Sequence, residues 1–285
     1  MIFNKFFILF KIGRKIGKSN IINIVSETHK IPVFIKLFFN LLAFSFSSSN
    51  ETKSKGKENL SESIQEMGTT FIKLGQFLAT RPDIIGEKLS KELVSLQDKL
   101  PPFSKKEAEK IIIENLGQSN FDDIIDLSEP IAAASIAQVH KAKIKEDNII
   151  KNVAIKVLRP NIKKIFNDEI DAIMLLAYIV ESLISKTKRL KLIEVVFLFK
   201  EITNHEMDLR FEAAAANEYA ENTKNDLGFF VPKIYWNFTS ESVLTLDWVD
   251  GVSIREKDLL KEKNIETSKI ATNLIQHFLR HAVRD

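Results

Sequence analysis

Near residue 130 of this 285-residue chain, the spacing of apolar residues changes from helical to strand-like. That change constrains the fold more than any other feature. Before it, Ile64, Met67, Phe71, Leu74, Phe77 and Leu78 recur every three or four residues between Ser61 and Thr80, which lines one face of a helix. After it, Ile131 to Ile144 and Asn152 to Leu158 read as two strands, separated by a charged turn at Lys145 to Asn148. Long helical patterns follow at Ile162 to Ile184 and Leu190 to Ala220. Strands are expected at Phe229 to Phe238 and Ser242 to Trp248, then helices at Ser253 to Leu260 and Ser268 to Val283. This order predicts an α+β fold.

Local signals divide the rest. Arg81-Pro82 ends the first helix, because the residue before proline resists helical geometry. A second helix, Glu87 to Lys99, is stopped by Pro101-Pro102. Ser104 and Glu107 form a capping box that opens a third helix through Leu116, with Gly117 after it. Residues 45–59 are polar and read as a linker. The expected divisions are a basic amphipathic region (1–50), a helical extension (51–120), a strand-bearing lobe (121–252) and the start of a further helical lobe (253–285). The first of these carries Lys5, Lys11, Arg14, Lys15, Lys18, Lys30 and Lys36 against the single acid Glu27. Its apolar run Ile31 to Phe46 is 16 residues long and interrupted by Lys36, short of the roughly 20 that a spanning helix needs. Phe6 to Phe10 is too short for a signal peptide. Residues 1–46 therefore read as helices that either lie on an anionic membrane surface or pack on the chain's own core.

Composition narrows the chemistry. A net charge of +3 gives no argument for a nucleic-acid partner. The absence of cysteine excludes disulfides, thiolate metal sites and cysteine nucleophiles. Of five histidines, only His277 and His281 are spaced to share a helix face. Phe278 stands where a zinc protease has its glutamate, and no third ligand suggests itself. The pair reads as two ordinary helix histidines, so no metal site is expected. His140, at a strand end, reads as a structural hydrogen-bonding residue.

The chemical signal begins at Val153-Ala154-Ile155-Lys156. Successive strand side chains face opposite ways, so Val153 and Ile155 bury while Ala154 and Lys156 point to the other face. In protein kinases a lysine so placed meets phosphate oxygens and is held by a helix glutamate. The preceding strand runs Ile131, Ala132, Ala133, Ala134, Ser135, Ile136, Ala137, Gln138, Val139, where a kinase has its glycine-rich phosphate loop. Alanines stand in for glycines, which makes the loop stiffer and aims its amides differently. Glu206, Asp208 and Glu212 follow in an alanine-rich helix. Asp247 to Val249 then fall where kinases have the hinge that pairs with adenine.

These pieces, in this order, resemble the UbiB family of atypical kinases. The deciding residues are Lys73-Leu74-Gly75-Gln76, matching the family's K-x-G-Q motif within Gly68 to Asp83, together with the alanine loop, Val153 to Pro160, and Glu206-Met207-Asp208. The resemblance covers about residues 58–285. It implies a kinase-like N-lobe with an added helical segment carrying Lys73, Gly75 and Gln76, and an incomplete C-lobe. It also implies ATP or ADP with Mg²⁺, bound by Ile131 to Val139, Lys156, Asp247 and Val249. Glu212 or Glu206 would pair with Lys156. Glu212 is preferred, leaving Glu206 and Asp208 to face Lys73 as a regulatory motif, because on one helix the two glutamates point roughly 120° apart. Gln76 would sit near the phosphates.

Family members bind and hydrolyse ATP and support ubiquinone biosynthesis at the bacterial inner membrane, or in mitochondria and plastids. The resemblance thus implies an ATP-binding, kinase-like protein of that pathway, on the cytoplasmic face of the membrane. Its implied partners are nucleotide, an anionic membrane surface, and ubiquinone-biosynthesis proteins or lipid intermediates. The alternative is a non-catalytic membrane-surface or lipid-binding scaffold. The family's catalytic loop, H-A-D-x-H-P-G-N, and the metal site that follows it do not occur in these 285 residues. The expectation is a fragment without catalytic residues or Mg²⁺ ligands, inactive by itself.

Overall fold

The computed structural model describes residues 2–18, 60–94, 96, 100–183 and 185–284, with only the backbone at 2–6, 18 and 185–187. Residues 19–59 lie outside these, and with them the expected linker and most of the basic N-terminal region. The fold is mixed helix and antiparallel sheet, α+β as the residue periods predict. Two compact units form: Met1–Pro102 with Ala133–Ala137 and Leu158–Met207, and Phe103–Ala132 with Gln138–Val157 and Asp208–Asp285.

The first unit is helical. Helix α1 (Ile2–Lys18) packs on α8 (Ile162–Leu183), burying Ile12, and the Lys15 ammonium donates to the Met67 carbonyl at 2.8 Å. Where one helix was expected between Ser61 and Thr80, there are two: α2 (Leu60–Met67) and α3 (Thr69–Ala79). Gly68 separates them at φ 103°, ψ −177°, a geometry essentially closed to L side chains. A short helix α4 (Pro82–Ile85) starts on a proline at its first position, where the missing N–H costs nothing. Helix α5 (Glu87–Val94) follows, with Leu96 outside it; residues 95 and 97–99 of the expected span lie outside the described residues. Leu60, Leu89, Leu93 and Leu96 form the core of α2, α3 and α5. The Ser61 hydroxyl donates to the Glu92 carbonyl at 2.7 Å, and that of Ser90 to the Ala79 carbonyl at 2.6 Å. Helix α8 lies against α9 (Leu192–Glu206), with Phe166, Ile170 and Phe199 buried.

The second unit holds the sheet. Helix α6 (Lys105–Leu116) opens at Ser104, whose hydroxyl accepts from Glu107 N–H at 3.2 Å, and stops before Gly117 at φ 82°. A one-turn helix α7 (Gln118–Asp122) leads into the strands. These are β1 (Ile124–Ile125), β2 (Pro130–Ala133), β3 (Ala137–Glu146), β4 (Ile149–Leu158) and β5 (Val243–Asp247). Their order is β1-β3-β4-β5, with β2 also paired to β3. Strands β3 and β4 join through Asp147 (φ 51°) and Asn148 (φ 62°), the left-handed pair that a tight hairpin turn demands. Val153, Ile155, Val157, Ile144 and Val243 pack with Ala108 and Ile112 of α6 and with Tyr235 and Phe238.

Three sequence expectations change here. The run Ile131 to Ile144 is two strands, broken at Ala134 to Ile136, where the Ala134 N–H closes a turn onto the Ala137 carbonyl at 2.8 Å. Phe229 to Phe238 is not a strand: it makes one bridge, Ile234 to Leu246, and a 3₁₀ turn at Trp236–Phe238. Pro232 cannot donate to a ladder, and the Tyr235 N–H bonds the Thr245 carbonyl at 2.9 Å just before the chain turns. The single helix expected across Leu190 to Ala220 breaks after Glu206. Asp208 adopts an extended geometry (φ −119°, ψ 98°) and caps α10 (Leu209–Thr223), its carboxylate accepting from Arg210 N–H at 3.1 Å. The chain closes with α11 (Lys257–Glu262) and α12 (Thr267–Arg284).

Candidate functional site

Strand β4 delivers Lys156. Val153, Ile155 and Val157 are fully buried on the core face, and the alternation leaves Ala154 and Lys156 half-buried on the other. Antiparallel pairing sets Lys156 opposite Leu244 of β5. Helix α10 brings Glu212 in its first turn, and Lys156 Nζ donates to Glu212 Oε2 at 2.7 Å. With 25% of the lysine side chain and 51% of the glutamate side chain exposed, solvent reaches the pair. A bound anion would find a held ammonium there rather than a free, wandering one.

The break before α10 decides which glutamate this is. Glu206 ends α9, and in the first unit it pairs with Lys73 of α3 at 3.1 Å. Asp208 caps α10 and also grips the Arg210 guanidinium through both oxygens, at 2.6 and 2.9 Å. A 120° separation holds only along one continuous helix, and Glu206 and Glu212 lie on two. Gly75 is buried, with Leu96 and Ile64 against it, and Gln76 is half-buried.

The alanine turn is braced by a residue that sequence reasoning overlooked. The Arg159 guanidinium donates to the Ala134 carbonyl at 2.8 and 3.1 Å and to the Pro101 carbonyl at 3.0 Å. The Arg159 N–H also bonds the Ile136 carbonyl at 2.8 Å. The signal was visible in the Arg159-Pro160 step directly after the strand. Ile131 and Ala132 are exposed, Ala133, Ala134 and Val139 half-buried, and Ser135, Ile136 and Ala137 buried. The Ala134 amide is spent within the turn and cannot serve a phosphate. Nor can the Gln138 side chain serve a ligand. It is fully buried, accepting from Phe103 N–H at 2.9 Å and donating to the Phe103 carbonyl at 3.2 Å and to His140 Nε2 at 2.9 Å.

At the end of β5, Asp247 accepts from the Tyr235 hydroxyl at 2.6 Å and from Lys233 N–H at 3.2 Å. Burial, and then this carboxylate, push the Tyr235 hydroxyl well above its ordinary pKa. The Asp247 side chain therefore braces the strand end, and contact with a base edge would fall to backbone. Val249, beyond it, is 51% exposed.

Within the second unit, a lysine held by a glutamate and an exposed strand end fit nucleotide phosphates and a base. The described residues do not fit Mg²⁺ in the same way. Their one group of three potential ligands is Asp226, His277 and His281, an imidazole-rich set, whereas Mg²⁺ takes oxygen ligands.

The model of the ABC1 atypical kinase-like domain matches residues 95–285. The chain is 29% identical over 279 residues to a protein named "Probable protein kinase UbiB" from Pseudomonas paraeruginosa (strain DSM 24068 / PA7), covering 97% of this chain and 52% of the relative. Proteins of the same name from Marinobacter nauticus and Cellvibrio japonicus are each 32% identical, over 90% and 87% of this chain and 46% and 45% of their own lengths. The chain thus spans about half the length of the curated relatives it matches. A solved structure from Mycobacterium tuberculosis, a complex of Rv3197 with erythromycin, matches at a TM-score of 0.40 and 24% identity, over 65% of this chain and 44% of that one.

Proposed function

This chain belongs to the UbiB family, with its ABC1 atypical kinase-like domain, and from that premise we propose that it binds ATP or ADP through Lys156, positioned by Glu212. The observation that carries the reading is the 2.7 Å contact between these two side chains, made across 56 residues of sequence. Lys156 offers its ammonium to phosphate oxygens. Glu212 keeps it directed. The backbone beyond Asp247, ending in the exposed Val249, takes the base edge. When bound, the nucleotide supplies a transferable phosphoryl group.

In this reading the protein acts as a regulatory kinase or ATPase in ubiquinone biosynthesis, at the cytoplasmic face of a bacterial inner membrane. The 285 residues alone bind without turnover, since the family's catalytic-loop motif does not occur in them. The exposed Phe7 and Phe10 of α1, beside Lys11, support contact with an anionic leaflet.

Equilibrium binding of a fluorescent ATP analogue tests the core of the proposal. Lys156→Ala should weaken binding at least about tenfold, the equivalent of one charge-assisted contact. Equal affinity in the two proteins would remove the assigned site.

A further inference from the structure

The structure supplies what the His277/His281 spacing lacked, a third ligand. Asp226, in the turn that follows α10, lies against α12, which presents both imidazoles one turn apart on the same face. One oxygen or nitrogen from each of the three residues falls within 4.8 Å of the others. A tetrahedral zinc with bonds of about 2.0–2.1 Å holds its ligands about 3.3 Å apart, so small side-chain rotations close the set. Asp226 and His277 are each only 8% exposed.

Two further observations point to a ligand. His277 Nδ1 is buried and has no hydrogen-bond partner among the described residues, an expensive state for an imidazole nitrogen. His281 has in place an outer hydrogen-bond partner of the kind that metal-binding histidines use. Its Nδ1 meets the Tyr219 hydroxyl, and its Nε2 lies 3.2 Å from Asp226 Oδ2. Without a metal, Nε2–H donates to the carboxylate, which only accepts, and Nδ1 accepts from the Tyr219 hydroxyl; a cation would take the place of the Nε2 proton, with Nδ1–H then donating to the Tyr219 oxygen. Phe229 and Tyr219 wall the group with ring centroids 5.0 and 4.8 Å from His281, an apolar surround that keeps water away.

We propose that Asp226, His277 and His281 form a binding site for a borderline divalent transition metal, zinc above all, pinning the turn after α10 to α12. Two imidazoles and a carboxylate suit zinc better than Mg²⁺ or Ca²⁺. The opposing force is charge. Arg280 and Arg284 contact Asp226 at 2.9 and 3.1 Å, and a dication must displace or outlast them. Both side chains are 40% or more exposed, so each can turn outward into water. Removing one should therefore tighten the site. The proposal stands apart from the nucleotide reading, because it involves neither Lys156 nor Glu212.

The test is thermal unfolding of the full chain with zinc chloride. Zinc at about a hundredfold above its Kd should raise the midpoint by about 5 °C, while magnesium chloride should leave it unchanged. His277→Leu should abolish the zinc shift without lowering the metal-free midpoint, since it deletes a nitrogen that bonds nothing. Arg284→Ala should bring the shift in at lower zinc. Cobalt(II) should give a visible ligand-field band in the native chain and none in His277→Leu. No shift with zinc, an equal shift with magnesium, or a shift that survives His277→Leu would each overturn the site. The chain's lack of cysteine removes the commonest competing zinc ligand.

Discussion

At Lys156 the ion pair contributes more to position than to stability. With a quarter of one side chain and half of the other exposed, its contribution to folding is at most about 1 kcal/mol. Substitutions there should change nucleotide affinity far more than the unfolding midpoint. His140 shows the opposite balance. It is fully buried, and because a carbonyl only accepts, its contact with the Ser128 oxygen at 2.8 Å places the proton on Nδ1. Nε2 then accepts from Gln138, and Gln138 in turn clasps both backbone groups of Phe103. A second proton on the ring would face the Gln138 amide donor. Burial, the largest cause, lowers the His140 pKa, so the folded state resists protonation while the unfolded imidazole titrates near about 6.5. As pH falls through that value the unfolded chain takes up the proton and stability drops. Urea midpoints should decline between about pH 7.5 and about pH 5.5, and His140→Gln should flatten that decline. A native chain whose midpoint is constant over this range would contradict the assignment of the neutral tautomer.

Among the elements, α3 is where the K-x-G-Q sequence acquires a physical meaning. A methyl group on Gly75 would run into the end of Leu96 and touch Ile64. Leu96 is buried with Leu60, Leu89 and Leu93, so it has little room to turn aside. Alanine gains up to about 1 kcal/mol of helix propensity over glycine, but overpacking a core costs about 1–3 kcal/mol. Gly75→Ala should therefore be net destabilising, lowering the urea midpoint while leaving the m-value unchanged. The helix break at Met207-Asp208 matters equally. The Leu209 N–H goes to the Glu241 carbonyl at 3.0 Å rather than back along a helix, and Asp208 caps the new start. That restart aims Glu212 at the sheet.

For the molecule as a whole, α12 inverts the usual pattern of a surface helix. Its His277, Arg280, His281 and Arg284 flank faces Asp226, while Leu274, Ile275, Phe278, Leu279 and Val283 are all more than half exposed. So much apolar surface on one helix is rarely left open in a soluble chain. The 285-residue chain should bind a hydrophobic dye strongly, and Leu274→Glu with Phe278→Glu should cut that signal severalfold without moving the unfolding midpoint. An unchanged dye signal in the double variant would place the open surface elsewhere.

Much of this was legible in the residues. Periodicity placed helix between Ser61 and Thr80 and the strand that presents Lys156, because burial in water enforces those repeats whatever the partner; the Ser104 and Glu107 pair gave the capping box, while the break at Gly68 had no periodic signal. Motif order brought the family into view. What the sequence could not settle was which distant groups meet. Whether Glu206 or Glu212 reaches Lys156 depends on a helix break that two residues make possible and tertiary packing completes, through an amide captured by Glu241. Arg159 closing the alanine turn, and Asp226 meeting two histidines 51 and 55 residues away, carry no periodic signature at all. Local spacing reflects solvent and backbone geometry and can be read along the chain. Long-range polar contacts exist only once packing has brought their partners within hydrogen-bonding distance.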